Sequence, residues 1–478
     1  MPERRNGVRV PERTARRYAR TSLPLGVDPI TAGVGLTRIG DGPFVLYERP
    51  REVGVGFGAA AEIVLDRHHI RLRTDGDWRR VPTGDEPLQR IGELLADTGI
   101  PDWRVYGWLG FELSYLLHGM PEAAGDTVLG HLVVPAVEAR LTAGNAELRA
   151  LRLDDLADLC DRVERLEQPA EPRPSVELTD DLAGGEEYQK IVAAAVADIK
   201  DRRLRKVILS RVVPVRGTID LPASYRAGRR GNTPARSFLL ELGELRAVGF
   251  SPETVVEVCA DGTVSTQPLA GTRALSGDLE RDAQLREELL NDPKEIYEHA
   301  VSVHGAQHEL GTVCTPGSVL VEEFMGVRQR GSVQHLASRV TGRLAPERNG
   351  WHALTGLFPA VTASGLPKAA ACEAIHRYEP GERGLYSGVV LTADADGALD
   401  AALVLRTVFQ QGGRTWLRAG AGIVEQSTPE RELEETREKL RSISRFLVPV
   451  AEQSPVVTQS PVGSPVELDE LDERVVVP

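Results

Sequence analysis

The sequence predicts an α+β fold, in which helices pack on antiparallel β-sheets. Asp-Gly or Gly-Gly dipeptides occur at 261–262, 396–397 and 412–413, each between two strand-like runs. Such dipeptides favour tight hairpin turns, and a hairpin pairs its two strands antiparallel. The strand-like runs also cluster apart from the helix candidates, whereas a parallel sheet needs strands that alternate with helices. Turn chemistry and element order therefore both indicate antiparallel sheets.

Candidate elements follow from the spacing of apolar residues, which repeats every two residues in strands and about every 3.6 residues in helices. In chain order, the candidates are strands at 44–48 and 62–65, a helix at 87–98, an aromatic stretch at 103–115, a helix at 186–201 and a strand at 206–214. The first four offer no pattern of chemically reactive side chains.

A charged, proline-bearing stretch at 164–181 divides the chain into two unequal parts. We expect residues 1–170 to form the N-terminal part of the α+β domain and residues 171–450 to form its catalytic part. Residues 451–478 mix Ser, Pro, Gln, Val and acidic residues without periodicity, which is typical of a disordered tail.

Charge and cysteine content exclude several classes of protein. The chain of 478 residues has 57 Lys and Arg against 70 Asp and Glu, a net charge of −13, which argues against binding nucleic-acid phosphates. Its four cysteines are too scattered for a zinc site and too few for a disulfide scaffold, which fits a reducing compartment. The Arg-rich stretch at 2–20 is not followed by an uninterrupted apolar segment long enough for a signal peptide or a membrane span. We therefore expect a soluble cytoplasmic protein.

Two acidic segments, 291–298 and 432–439, each have the pattern of a helix start that carries two glutamates three residues apart. The pairs are Glu295 with Glu298 and Glu432 with Glu435, and each pair shares one helix face. Carboxylates facing a common centre could bind a hard cation such as Mg²⁺, which prefers oxygen ligands. From spacing alone, two solvated helix faces are favoured roughly four to one.

A glycine-containing segment at 418–424 reads as a strand that gives way to a Gly-x-Gly turn at Gly420 and Gly422. Glycines let backbone N–H groups approach an anion closely. A dinucleotide-binding fingerprint would need a third glycine where Glu425 stands, so nicotinamide binding is disfavoured. A tight turn without a ligand is about as probable as carboxylate binding.

Single residues carry weaker signals. Lys206 opens an apolar strand, where an amine withdrawn from water could act as a base, although a lysine reaching solvent from a strand end is favoured about two to one. Glu253 precedes apolar residues whose desolvating effect would raise its pKa toward that of a general acid, but a turn residue is the commoner role. His335, Tyr386 and Arg406 are informative only in combination.

In combination, these segments resemble the chorismate-using enzyme family, which includes anthranilate synthase, aminodeoxychorismate synthase, isochorismate synthase and salicylate synthase. The resemblance covers about 186–447. It is carried by Phe-Ser-Pro-Glu at 250–253, Pro-Leu-Ala-Gly-Thr-Arg at 268–273, Asn-Asp-Pro-Lys-Glu at 291–295, Phe-Pro-Ala at 358–360 and Ala-Gly-Ala-Gly-Ile at 419–423. It implies two packed antiparallel sheets surrounded by helices, and an Mg²⁺ that bridges glutamates to a substrate carboxylate.

The resemblance also implies residue roles. Glu298 and Glu435 resemble the metal ligands, with Glu295 and Glu432 as nearby or water-mediated partners. Lys206 resembles the base that activates water, and Glu253 the general acid. The residues that resemble the substrate-contacting set are Gly271, Thr272, His335, Thr362, Tyr386, Leu405, Arg406, Gly420, Gly422 and Lys439.

Individual positions favour one branch of the family. Lys206 stands where the amine-transferring relatives carry glutamine, and Ala270 stands where aminodeoxychorismate synthase carries its nucleophilic lysine. We therefore expect no glutamine amidotransferase subunit, and a monomer. The segments 358–368 and 385–388 resemble the salicylate-forming branch, although Ala337 replaces a glycine of several relatives.

The expected activity is conversion of chorismate through isochorismate to salicylate and pyruvate. The first alternative is an enzyme that releases isochorismate. The second is a non-catalytic homologue, whose signature would be a missing Lys206, Glu253 or metal glutamate. Whether the salicylate would serve a siderophore or another aromatic metabolite stays open.

Overall fold

A computed structural model describes residues 16–37, 42–174 and 179–450. The tail expected at 451–478 lies outside the described residues. The strands are β1 Ala19–Pro24, β2 Phe44–Arg49, β3 Glu52–Phe57, β4 Ala61–Leu65, β5 His69–Thr74, β6 Asp77–Pro82, β7 Arg104–Leu109, β8 Gly130–Val134, β9 Val137–Thr142, β10 Asn145–Ala150, β11 Lys206–Pro214, β12 Arg236–Leu242, β13 Leu245–Ser251, β14 Thr254–Val258, β15 Thr263–Thr266, β16 Leu269–Ala274, β17 Leu320–Arg330, β18 Val333–Arg343, β19 Gly365–Leu366, β20 Val389–Asp394, β21 Leu399–Leu403, β22 Thr407–Gln411 and β23 Arg414–Ile423.

Helices separate these strands and follow the last of them. They are α1 Pro29–Thr37, α2 Pro87–Ala96, α3 Leu113–Leu117, α4 Leu153–Glu164, α5 Gly185–Lys200, α6 Leu221–Gly231, α7 Leu279–Asn291, α8 Pro293–Gly311, α9 Gly350–Leu357, α10 Lys368–Tyr378 and α11 Pro429–Ser444, with a short 3₁₀ turn at Pro121–Ala124. The predicted strand at 206–214 matches β11. The helix predicted at 87–98 ends earlier, because Gly99 adopts a φ of +75° and breaks the helical path.

Two large antiparallel sheets form the framework. The first has the order β1-β10-β9-β3-β2-β12-β13-β22-β23-β11-β19, and the second has the order β16-β18-β15-β14-β21-β20-β7-β8-β4-β5-β6, with β17 paired to β18. The three predicted hairpins are present as β14–β15, β20–β21 and β22–β23. The predicted α+β class with two antiparallel sheets and surrounding helices is therefore confirmed.

Strands from both sides of residue 170 lie side by side in each sheet. In the first sheet β2 pairs with β12, and in the second β7 pairs with β20. The boundary itself remains a prediction. No helix within the described ranges is both long and apolar enough to cross a membrane.

The sheets pack face to face, and helices cover their outer faces. Strand β2 illustrates this arrangement, because its four buried residues alternate between two cores. Val45 and Tyr47 point toward the second sheet, where they pack with Tyr106 and Val390. Leu46 belongs to the core that the helices cover. Burial on both faces explains why this strand reads as a continuous apolar run, whereas a strand with one wet face alternates with polar residues.

Candidate active site

The predicted site residues come together around one cavity. Its lining includes Glu253, Gly271, Thr272, Glu298, His335, Thr362, Tyr386, Leu405, Arg406, Gly420, Gly422, Glu435 and Lys439. The three other predicted residues lie directly behind this lining. Lys206 contacts Glu298, and both Glu295 and Glu432 contact Lys294, which in turn contacts Glu298 and Glu435.

Lys206 is buried at the start of β11, where it does not reach solvent as a lysine at a strand end usually does. Its Nζ donates a hydrogen bond to Ser302 Oγ at 2.9 Å and lies 3.0 Å from Glu298 Oε1. Both partners are on α8, which packs beside the strand. The amine is therefore held next to the acidic cluster and shielded from bulk water.

Glu253 lies in the turn between β13 and β14 and is 2% exposed. Its Oε2 accepts a hydrogen bond from the backbone N–H of Leu269 at 2.6 Å, and its Oε1 accepts one from Thr362 Oγ1. Burial raises the pKa of Glu253 to about 7 and outweighs these hydrogen bonds, which lower it. At neutral pH the carboxyl group is thus divided between its protonated and ionised forms.

The four glutamates occupy the first two turns of two helices. Asp292 caps α8 and Thr428 caps α11, and a proline follows each cap at the first helical position. Helix α11 begins at Pro429, three residues before the predicted start. Strand β23 leads into α11, so its end and both helix starts meet at the cavity.

A lysine that the sequence analysis did not single out lies among these glutamates. Lys294 Nζ is 3.5 Å from Glu295, 3.7 Å from Glu298, 3.3 Å from Glu432 and 3.9 Å from Glu435. Burial lowers the pKa of Lys294, but the carboxylates outweigh burial and raise it, so the amine is protonated. Lys294 stands four residues before Glu298, so the sequence alone could have predicted that the two side chains share one helix face.

The donor chemistry of this cluster suits a divalent cation. Both carboxylate oxygens of Glu432 are buried and lack a hydrogen bond within the described ranges. Burial and the negative charge of Glu435 raise the pKa of Glu432 and outweigh the ammonium of Lys294, which lowers it. In the part of the chain that the structure describes, no three His, Cys, Asp or Glu side chains converge at metal-ligand spacing. The carboxylates surround the ammonium of Lys294 instead.

The prediction that the chain turns at Gly420 and Gly422 was wrong, because both residues lie inside β23 and pair with β11. These glycines are needed because neighbouring atoms pack closely against their backbone. A Cβ on Gly422 would meet Glu298 Oε1 at 2.0 Å, and one on Gly420 would meet the carbonyl oxygen of Leu209 at 2.6 Å. Any side chain at these positions would displace the acidic cluster or the neighbouring strand.

Lys439 joins α11 to this strand. Its Nζ donates to the carbonyl of Gly420 at 2.9 Å and to Glu435 Oε1 at 2.8 Å. The predicted placement of Lys439 and Glu435 on one helix face is therefore seen in the structure. This lysine brings positive charge to the cavity wall beside the acidic cluster.

Arg406 lines the same cavity and supplies a positive charge that no carboxylate in the described ranges compensates. Its guanidinium donates to the carbonyl of Arg330 and to His335 Nε2, and within the described ranges no carboxylate lies within 4.0 Å of it. Because Nε2 accepts from arginine, the proton of the imidazole is assigned to Nδ1, which lies 3.1 Å from Thr272 Oγ1. Burial and Arg406 lower the pKa of His335, so the imidazole is neutral. The unpaired guanidinium is suited to an anionic ligand.

A buried cluster behind Tyr386 was also missed. Glu379 pairs with Arg383 at 2.6 Å and with Arg418, and both guanidiniums lie within 6 Å of the Tyr386 ring centre, at 5.8 and 5.6 Å. Burial raises the pKa of Glu379, but the two arginines outweigh it and lower the pKa. Arg383 also donates to the carbonyls of Ile208 and Ala363. The cluster therefore ties β11 to the Thr362 and Tyr386 segments.

The amino-acid sequence is similar to those of known enzymes over most of its length. The family model described as chorismate binding enzyme matches residues 42–445. The salicylate synthase of Mycolicibacterium paratuberculosis is 43% identical over 435 residues, which cover 89% of this chain and 95% of that protein. Anthranilate synthase component 1 of Streptomyces coelicolor is 33% identical over 455 residues, which cover 87% of this chain and 86% of that protein.

A solved structure extends the comparison to three dimensions. The crystal structure of anthranilate synthase component I from Streptococcus pneumoniae matches with a TM-score of 0.70 at 26% identity, covering 83% of this chain and 92% of that one. The sequence matches and the structural match thus both indicate the same family of proteins, and each covers most of the chain. On these grounds, the chain belongs to the family of chorismate-binding enzymes.

Proposed function

We propose that the protein is a magnesium-dependent salicylate synthase, which converts chorismate through isochorismate to salicylate and pyruvate. The observation that carries the proposal is the cavity in which a buried amine, Lys206, a protonatable carboxyl, Glu253, and an unpaired guanidinium, Arg406, accompany a carboxylate cluster. The extended similarity to a salicylate synthase supports the same reaction.

The distribution of charge fits a substrate with two carboxylates. Arg406 can pair with one of them, since it has no other ion pair in the described ranges. The other would be repelled by Glu298 and Glu435, so an anion binds beside them only together with a cation. The buried oxygens of Glu432 and the oxygen-only donor set fit Mg²⁺, with Glu298 and Glu435 as ligands and Glu295 and Glu432 behind them. When bound, the metal supplies the positive charge that attracts this carboxylate.

In the first step, water adds at C2 of the chorismate ring and the hydroxyl group at C4 is lost. Lys206, acting as the free amine, takes a proton from water while the water oxygen bonds to C2 of chorismate. The ring double bonds shift, the C4–O bond breaks and Glu253 protonates the departing hydroxyl. One water enters and one leaves, so the product is the isomer isochorismate. General acid and base catalysis of this kind contribute about 10² to 10⁴-fold each.

The second step needs no external base. The hydrogen on C2 of isochorismate moves to the methylene carbon of the enolpyruvyl group as the C3–O bond breaks, which releases pyruvate and leaves an aromatic ring. The protein contributes by restraining the side chain in a reactive conformation. Tyr386, Thr362 and Arg406, which line the cavity, are the residues we assign to this restraint.

Product analysis tests the proposal directly. Purified protein is incubated with chorismate and MgCl₂, salicylate is measured by fluorescence and pyruvate by a coupled lactate dehydrogenase assay. We expect salicylate and pyruvate in equal amounts. Accumulation of isochorismate without salicylate would contradict the elimination step, and unchanged chorismate would contradict the whole assignment.

Replacing Thr362 by valine is expected to shift the alkaline fall of kcat to higher pH. The hydrogen bond from Thr362 stabilises the ionised form of Glu253, so its loss raises the pKa of Glu253 above the value of about 7. A general acid works only while protonated, and its activity therefore falls as the pH rises through its pKa. The measurement is kcat against pH from 6 to 9.

Thr392→Val is the matched control, because the Thr392 hydroxyl is buried, has no hydrogen-bond partner among the described residues and lies outside the cavity lining. Its pH profile should coincide with that of the wild type. A Thr362→Val profile that is unmoved, or that moves to lower pH, would exclude Glu253 as the acid under this arrangement.

A further inference from the structure

The glutamate cluster holds a cation that belongs to the chain itself. The Lys294 side chain is 4% exposed, and its Nζ lies between 3.3 and 3.9 Å from all four carboxylates. Charge-assisted N–H···O bonds are about 2.7 to 2.9 Å long, and within the described ranges this Nζ makes no hydrogen bond. The ammonium therefore offsets part of the negative charge of the cluster without being tightly bound by any one carboxylate.

The other basic side chains near the cluster each contact one of the four carboxylates from its edge. Lys206 contacts Glu298, Lys439 contacts Glu435, and Arg431 and Arg273 contact Glu295. Glu432 differs, because within the described ranges its only ion pair is with Lys294. Lys294 is thus the cation that reaches all four acids, and one of them depends on it.

A metal ion held by Glu298 and Glu435 would compete with this ammonium for the same carboxylates. Mg²⁺ binds carboxylate oxygens at about 2.0 to 2.1 Å, so an ion on Glu298 would lie no more than about 6 Å from Lys294 Nζ in any direction. In a buried site that separation leaves two cations with strong mutual repulsion and competing for the same oxygens. Metal binding therefore opposes the observed position of Lys294.

We propose that Lys294 is a built-in competitor for the metal, which fills the cluster in the metal-free enzyme and is displaced when the metal binds. The inference rests on the proposed magnesium dependence and concerns its regulation. It has two consequences. In the metal-free protein the ammonium offsets part of the charge of the buried acids. The affinity for Mg²⁺ is reduced by the share of molecules in which the ammonium occupies the cluster.

Lys294→Met tests both consequences in the metal-free full-length protein. Magnesium affinity is measured by isothermal titration calorimetry without substrate, and thermal unfolding is followed in EDTA and in MgCl₂. If the ammonium occupies the cluster nine-tenths of the time, its removal tightens Mg²⁺ binding by about tenfold. We also expect a lower unfolding temperature in EDTA and a smaller deficit in saturating MgCl₂.

Two further variants keep the test decisive. Lys368→Met removes another lysine whose side chain is largely buried, at 9% exposure, and which pairs with Glu309 at 2.9 Å outside the cluster. It should leave the Mg²⁺ affinity unchanged. Lys294→Arg keeps the charge, so it should preserve stability in EDTA without tightening Mg²⁺ binding. If Lys294→Met binds Mg²⁺ no more tightly than the wild type, or loses equal stability with and without metal, Lys294 is only a structural ion pair and the inference fails.

The inference and the proposed function fail in different ways. A wild-type enzyme that forms salicylate with Mg²⁺ while Lys294→Met shows unaltered metal affinity would refute the competitor role alone. A protein that makes no salicylate, but whose Mg²⁺ affinity rises in Lys294→Met, would refute the proposed reaction and support the competitor role.

Discussion

Replacing Lys206 by alanine is expected to lower kcat with chorismate by about 10² to 10⁴-fold, while added isochorismate is still converted to salicylate. The first step needs a base to take a proton from water, and Lys206 is the buried amine placed beside the cluster. The second step transfers its hydrogen within the substrate. The measurement is the rate of salicylate formation from each of the two substrates under the same conditions.

Lys206→Gln serves as the companion variant. A glutamine keeps a hydrogen-bond donor near Ser302 and Glu298 but offers no base, so it should show the same selective loss with less disturbance of α8. Both variants are examined by circular dichroism to confirm folding. An equal loss with chorismate and with isochorismate would show that Lys206 does not act mainly in the hydration step.

Replacing Glu435 by glutamine is expected to raise the Mg²⁺ concentration for half-maximal activity by about 100-fold or more. Loss of a residue that only supports a metal ligand costs about 10- to 100-fold in affinity, and loss of a ligand should cost at least as much. The substitution removes one negative charge from the cluster and weakens the contact with Lys439. Treatment of the wild type with EDTA should abolish activity, and added MgCl₂ should restore it. The measurement is the initial rate against free Mg²⁺.

Glu434→Gln is the control on the same helix. Glu434 is half-buried and pairs with Arg437 and Arg441 instead of lining the cavity. Its removal should leave the magnesium dependence unchanged. Full activity of the wild type in EDTA would refute the metal assignment, and an equal effect of both substitutions would show that general surface charge governs the response.

The parts of the fold that the sequence predicted correctly depend on residues close together in the chain. The hairpins β14–β15, β20–β21 and β22–β23 follow from dipeptides that favour tight turns, and β11 follows from a run of apolar residues with a charged start. The start of α8 follows from the cap at Asp292 and the proline after it. Each of these signals lies within a few residues of the structure it produces.

The candidate site was predictable as a set of residues but not as an arrangement. Spacing within one helix places Glu295 with Glu298, and likewise Glu432 with Glu435, yet spacing alone favoured two solvated helix faces. The family resemblance reversed that preference. Lys294 escaped notice because a lysine near glutamates on a helix usually lies at the surface, and only its burial among all four acids distinguishes it.

The sequence by itself determined the local structures and the residue types of the site, because caps, turns and apolar spacing act between near neighbours in the chain. Only the tertiary structure decided that α8 and α11 start side by side, that β23 continues through Gly420 and Gly422, and that Glu379 is buried with two arginines. These outcomes depend on the pairing of strands and helices far apart in sequence. Burial by that pairing turns ordinary charged residues into a site with unpaired cations and unsatisfied carboxylates.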